Sequence, residues 1–140
     1  MSTRTSIRNN VVTALTGLTT TGSNVFRSRV YPIAEGKLPG ICIFTATDES
    51  EYATTNPPRT LVHLLTLTVE AYVKANVNYD ATLDTIQSEI ETALAADITR
   101  GGHAQDTRVT SFVSNFSDEG DQPIAYGEIT VEIDYTSAEG

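Results

Sequence analysis

The sequence predicts an α+β domain: a mostly antiparallel, mixed sheet covered by two helices, in the order α-β-β-β-α-β-β. Three observations predict it. Apolar residues recur at three- and four-residue spacing in two stretches, strict alternation runs through residues 61–74 and again 125–135, and hairpin-length connections dominate. At 140 residues the chain makes one domain. That length buries about two thirds of the surface of the unfolded chain, so neither a disulfide nor a metal is needed for folding. No internal repeat is visible, and the order of the strands is left open.

Ile7, Val11, Leu15 and Leu18 fall at helical spacing and define a first helix, with Thr5 or Ser6 available as its N-cap and Thr21-Gly22 beyond its end. Val25 to Pro32 reads as a short strand with Arg27 and Arg29 on one face and Phe26, Ser28 and Val30 on the other. After a turn from Gly36 to Gly40, the run Ile41 to Thr47 is apolar on both faces and too short for a helix, which predicts a central strand. A polar loop follows from residue 48 to 60, stiffened at its exit by Pro57-Pro58, and is expected to be a flexible hairpin tip. Leu61 to Lys74 alternates over its whole length and makes a long strand antiparallel to the one before the loop. Leu83, Ile86, Ile90, Ala93 and Leu94 form the stripe of a second helix from about Ala81 to Asp97, with Asp80 as its cap and Arg100-Gly101-Gly102 as its stop. The helix is placed as a crossover between the third and fourth strands. Two more strands, Thr107 to Phe116 and Ala125 to Tyr135, close the chain. In the last of these Ile129, Val131, Ile133 and Tyr135 point one way, while Glu128, Thr130, Glu132 and Asp134 point the other.

Composition narrows the function classes. The formal net charge is -9, unevenly spread: Arg4, Arg8, Arg27, Arg29 and Lys37 oppose only Glu35 in the first 37 residues, and no Lys or Arg follows Arg108. The acidic balance argues against a protein that grips nucleic acid, because phosphate contacts need clustered cations. No stretch approaches the roughly 18 apolar residues of a membrane span, and Met1-Ser2-Thr3-Arg4 lacks the apolar core of a signal peptide, so a reducing cytosol is the expected place of synthesis. Cys42 lies inside Ile41-Cys42-Ile43-Phe44 and is expected to be a small buried hydrophobe.

Candidate chemistry is sparse. His63 lies on the Leu face of its strand without an apparent partner, which describes a hydrogen-bonded structural histidine better than a catalyst, and His103 follows two glycines. Gly36-Lys37-Leu38-Pro39-Gly40 lacks the order of a phosphate loop. Asp48, Glu49 and Glu51 lack the glycine and bidentate glutamate of a calcium loop, and are expected to be solvated charge or contacts with a basic partner. The same holds for Asp118, Glu119 and Asp121. Neither a catalytic constellation nor a cofactor or metal site is expected. A small acidic hydrolase or binding module using Asp48, Glu49, Glu51 and His63 is the rival reading, and it requires a concave pocket with convergent polar groups.

Several ordered blocks resemble the tail terminator proteins of long-tailed bacteriophages, the family of the lambda minor tail protein U. These are "IRNNVVTAL" in the first helix, "LPGICIFTATDESEY" in the strand and its acidic end, "TLVHLLTLTVEAYV" in the long strand, "ATLDTIQSEIE" at the second helix and "IAYGEITVEIDY" at the last strand. The resemblance covers nearly the whole chain and rests on order and spacing, since each block alone is common in α+β hairpin proteins. It implies a structural virion protein with no active site, assembled in the host cytoplasm. Such a protein is a homo-hexameric ring that caps the head-proximal end of the tail tube, stops tube polymerisation and offers a surface to the head or its completion proteins. Other neck components, the tail completion and head-tail connector proteins, have a similar layout and remain the alternative. A ring of so acidic a chain would let DNA pass through its pore without specific binding. Expected subunit or tube contacts are Asp48, Glu49, Glu51, Tyr52 and Arg59 on the loop, with Arg27 and Arg29 meeting Glu128, Glu132 and Asp134 of a neighbour.

Overall fold

Among the described residues, two helices and five strands form in the order read from the sequence: α1 (Thr3–Leu15), β1 (Val25–Phe26), β2 (Gly40–Tyr52), β3 (Thr60–Lys74), α2 (Tyr79–Ala95), β4 (Asp106–Ser117) and β5 (Ile124–Ala138). The structure is a computed structural model and describes residues 3–22, 24–26, 39–56, 59–74, 79–117 and 124–138. The strands lie in one sheet in the order β1-β2-β3-β5-β4. β1 runs parallel to β2, and every other pair is antiparallel. β5 is inserted between β3 and β4, so α2 carries the chain over β5 to a strand parallel to β3, the crossover expected of it.

The helices owe their stability to one face of this sheet. α1 has 13 residues and no acidic residue in its first turn, and a helix of that length is marginal alone in water. Its Ile7, Val11, Val12 and Leu15 are buried, as are Leu83, Ile86, Ile90 and Leu94 of α2. At roughly 2 kcal/mol for each fully buried aliphatic side chain, either stripe outweighs the weak intrinsic preference of its helix. They pack on Ile41, Ile43, Leu65, Leu67, Val69, Ile129, Val131 and Ile133. Gly127 marks the tightest approach in β5, because a Cβ there would lie 2.6 Å from the Phe112 ring. On the other face Cys42 and Tyr72 are buried, with Phe26, Ile124 and Tyr126 packed against them. Cys42 is thus the buried hydrophobe its neighbours implied.

Several boundaries differ from expectation. α1 begins at Thr3, so Thr5 and Ser6 lie inside its first turn instead of capping it, and Asp80 likewise falls within the first turn of α2, where its carboxylate meets the positive end of the helix dipole. Of the strand expected from Val25 to Pro32, Val25–Phe26 is described; the remainder, with Arg27 and Arg29, lies outside the described residues, as do Asp118, Glu119 and Asp121. The largest correction concerns the loop expected from residue 48. β2 continues to Tyr52, with Asp48 paired to Leu65 and Tyr52 to Leu61, so the first five residues of that loop are strand. The ladder to β3 supplies their backbone hydrogen bonds, which outweighs the poor strand preference of acidic residues.

Two bulges shape the sheet. Ala46 is an extra residue between Thr45, opposite Leu67, and Thr47, opposite Thr66; Thr110 is an extra residue between Val109, opposite Val131, and Ser111, opposite Thr130. They flank the central β3–β5 pair at nearly the same level, since Leu67 itself faces Val131. A bulge reverses which face the following side chains occupy.

Candidate functional site

The bulge at Ala46 turns Asp48 toward the helices. Without it, strict alternation from Ile41 and Ile43 would place Thr47 on the covered face and Asp48 on the open one. Instead the Asp48 side chain is 7 % exposed and paired with Arg4 of α1 and His63 of β3. One carboxylate oxygen lies 3.0 Å from His63 Nδ1. The other accepts from Tyr135 Oη at 2.5 Å and from Arg4 at 3.2 Å. His63 stacks on the Tyr135 ring, with centroids 4.3 Å apart and 7° between planes, and its Nε2 lies 2.8 Å from Ser137 Oγ. With a neutral ring, Nδ1–H donates to the carboxylate and Nε2 accepts from the serine hydroxyl. Burial, followed by the hydrogen bond to Asp48, raises the Tyr135 hydroxyl well above the ordinary tyrosine range.

Ser137, His63 and Asp48 therefore stand in the relation of nucleophile, base and orienting acid. A hollow of about 240 Å³ adjoins them, lined by Thr3, Arg4, Asp48, His63, Tyr135 and Ser137. Two features make the arrangement a lock. The carboxylate that would steady a histidine cation is shared with Arg4 and Tyr135, and Ser137 lies in the regular ladder of β5 opposite Leu61, not on the strained turn that presents a nucleophile. What the cluster does is fasten α1, β2, β3 and β5 to one another at a single carboxylate. The expectation that Asp48 is solvated charge on a flexible tip, and that His63 has no carboxylate near it, is corrected by this geometry.

Beyond Asp48 the hairpin becomes an arm. Glu49 through Asn56 are exposed, and Tyr52 is 55 % exposed with the Arg59 guanidinium 4.1 Å over its ring. On the open face of the arm, Glu49, Glu51, Val62, Leu64 and Asp134 line a hollow of about 190 Å³. The carboxylates of β5 are in a different state. Arg108 approaches Asp134 at 2.6 Å, Asp106 at 2.8 Å and Glu132 at 3.6 Å. The hydrogen bonds to Asp134 and then Asp106 hold its guanidinium more firmly protonated than usual. Glu128 faces Glu70 across the β3–β5 ladder. Arg27 and Arg29 lie outside the described residues, so their expected meeting with this ladder stands apart from the geometry.

A second polar knot lies under the end of α2. Arg100 is 1 % exposed, has a φ of 51°, and donates to the carbonyls of Leu94 and Asp97, closing the C-terminus of the helix. Burial lowers its affinity for its proton. Asp97 organises the turn: the Thr99 hydroxyl, then the amides of Gly101 and Thr99, hold its carboxyl down to about 2. Sequence reasoning singled out Asp48 and His63 but missed Arg4, Tyr135 and Ser137 as their partners, and missed Arg108 as the partner of Asp134 and Glu132. His63 and Tyr135 had already been placed on the inward faces of their strands, a usable signal. Nothing in the sequence marks the bulge that adds Asp48 to them.

Comparison with known proteins follows from this fold. The family model described as phage minor tail protein U matches residues 2–135. Among solved structures, a chain from the virion of a native gene transfer agent particle aligns with a TM-score of 0.40 and 12 % identity, over 91 % of this chain and 85 % of that one. No curated protein matches.

Proposed function

Because this chain belongs to the phage minor tail protein U family and is a structural protein of the tail rather than an enzyme, we propose that it forms the hexameric ring that ends the tail tube on the side of the head. In that place it stops addition of tube subunits and presents a surface to the head or its completion protein, while DNA passes through its acidic pore. The observation that carries this reading is the match of residues 2–135, which covers the fold and the arm alike. The geometry suits it. A ring needs heterologous contacts, in which one patch meets a different patch on the neighbour. The chain has an arm from Glu49 to Arg59 whose root is fixed at Asp48 and whose end is exposed. A fixed root lets binding at the tip be transmitted to the body, and limits the ordering entropy to a few residues.

The test is tube growth. Tail tube protein polymerised with the purified chain should give tubes that stop lengthening, with a six-subunit ring at one end in electron micrographs. Tubes that grow to the same length at every ratio of this chain to tube subunit would sink the proposal.

A further inference from the structure

Resting on that reading, we infer that Tyr52, with Arg59 stacked on it, is a knob at the end of the arm that docks on a second copy of this chain, in the hollow where the turn after α1 meets α2. The knob is ready made. Tyr52 is 55 % exposed and the Arg59 guanidinium lies 4.1 Å over its ring, so the aromatic face stands in the open with a cation beside it. Alternation along β2 puts Glu49 and Glu51 on the other face of the arm, away from the ring. Tyrosine and arginine are the side chains that anchor protein interfaces when a pocket receives them.

The pocket is ready made too. A hollow of about 380 Å³ lies between residues 17–19 and Ser88, Glu89, Thr92 and Ala93 of α2, with Leu18 and Ala93 as its apolar lining. Its outer wall is a closed turn. Gly17 and Gly22 have φ of 92° and 58°, the Gly17 amide donates to the Gly22 carbonyl at 2.8 Å, and the Gly22 amide donates to that of Leu18 at 2.7 Å. Thr20 ties this turn to α2, its amide and hydroxyl donating to the two oxygens of Glu89 at 3.0 and 2.5 Å. Both donors are neutral, so the negative charge of Glu89 stays at the rim.

Charge and reach select the occupant. From residue 75 to 99 the chain carries Asp80, Asp84, Glu89, Glu91 and Asp97 and no Lys or Arg. An aromatic ring with a cation on it suits such a surface, and an acidic segment does not. Reach excludes the chain's own arm. Arg4 pairs with Asp48 and Arg8 with Thr45, so α1 runs antiparallel to β2 and its far end points away from the arm. Arg4 to Leu15 spans about 17 Å of helix, and Asp48 to Tyr52 spans about 13 Å of strand in the opposite direction. Roughly 30 Å therefore separate knob and hollow within one chain, and the contact falls between copies. Knob and hollow are different patches, which makes it heterologous, as a closed ring requires.

The deciding experiment joins the two patches covalently and weighs the assembly. Full-length Tyr52→Cys and Ser88→Cys chains, each first checked for an unchanged melting profile, are mixed under mild oxidation, with Cys42 left in its buried place. The mixture should give a disulfide-linked pair in far greater yield than either variant alone, and than Glu49→Cys with Ser88→Cys. In solution mass measured across concentration, Tyr52→Ala should raise the concentration needed for half assembly by about tenfold or more, the usual effect of truncating an aromatic anchor. Glu89→Gln, which keeps an oxygen acceptor for Thr20, should raise it less and weaken its dependence on salt. An assembling chain in which Tyr52→Ala changes nothing, or whose two cysteines do not join, overturns the inference and leaves the ring to other contacts. A Tyr52→Ala chain that assembles normally but no longer binds tail tube assigns the knob to the tube and overturns it equally. A wild-type chain that stays monomeric at every concentration overturns self-docking, while the tube-growth result judges the ring on its own.

Discussion

Asp48 and Arg100 are both buried charges at one end of the sheet on its helix side, and they are held in opposite ways. Asp48 is met by residues 44, 15 and 87 positions away in the chain, and both of its oxygens accept hydrogen bonds. Arg100 is met by carbonyls 6 and 3 positions away, while its Nε and Nη1 are buried with no hydrogen-bond partner among the described residues. The first charge joins four elements. The second closes one helix. A buried ion whose polar atoms are all matched holds its surroundings in place, whereas one matched at a single nitrogen carries a desolvation penalty that its hydrogen bonds only partly offset.

Removal of the Asp48 carboxylate should produce the largest effect. Asp48→Ala strands the Tyr135 hydroxyl and a His63 ring nitrogen, each a buried donor that costs about 1–3 kcal/mol when left unmade. A loss of roughly 3 kcal/mol in urea unfolding is expected. Arg4→Ala should cost under about 1 kcal/mol, because Arg4 is 47 % exposed and water replaces its partner. Equal losses for the two substitutions would show that the cluster is a surface ion pair and not a lock.

Arg100 provides the contrasting case. Arg100→Ala removes the two carbonyl contacts and leaves a void, a loss of about 2 kcal/mol. Arg100→Met keeps much of the volume and disposes of both unmatched nitrogens, so its stability should stay within about 1 kcal/mol of wild type. Should the methionine variant fall as far as the alanine one, the guanidinium is worth more to the end of α2 than its unmatched atoms cost, and the contrast with Asp48 collapses.

The same contrast explains what could be read in advance. Arg100-Gly101-Gly102 was legible as a helix stop because capping is local: the residues that close α2 lie within a few positions of its end. The long alternation of β3 and β5 was legible too, and with it the inward placement of His63 and Tyr135. Asp48 was not, because its position follows from one extra residue, Ala46, that no propensity distinguishes from its neighbours in "IFTATDES". Strict alternation and an acidic run both pointed outward there, and the register shift reversed them. The strand order was open for a similar reason: β5 enters between β3 and β4, and pairing partners 50 or more positions apart leave no local trace.

A smaller effect isolates one bond of the lock. Tyr135 donates to Asp48 from a nearly buried position, 3 % exposed, and Tyr135→Phe keeps the ring that stacks on His63 while removing the donor. Its loss near neutral pH should be about 1.5 kcal/mol, the lower end of the net worth of a hydrogen bond to a charged group. The pH dependence separates this from mere repacking. Burial raises the folded-state affinity of Tyr135 for its proton above that of an ordinary tyrosine, which titrates near pH 10. The unfolded chain therefore ionises this group first, and the stability it contributes is whole below pH 10 and declines as pH rises beyond it. The phenylalanine variant has no such decline at this position. Wild type and variant should differ by a constant amount from pH 6 to 9 and converge above 10, because only the wild type loses stability from this group there. Curves that stay parallel through pH 11 would mean that the hydroxyl is as free to ionise in the fold as in the unfolded chain, and that Asp48 is held by His63 and Arg4 alone.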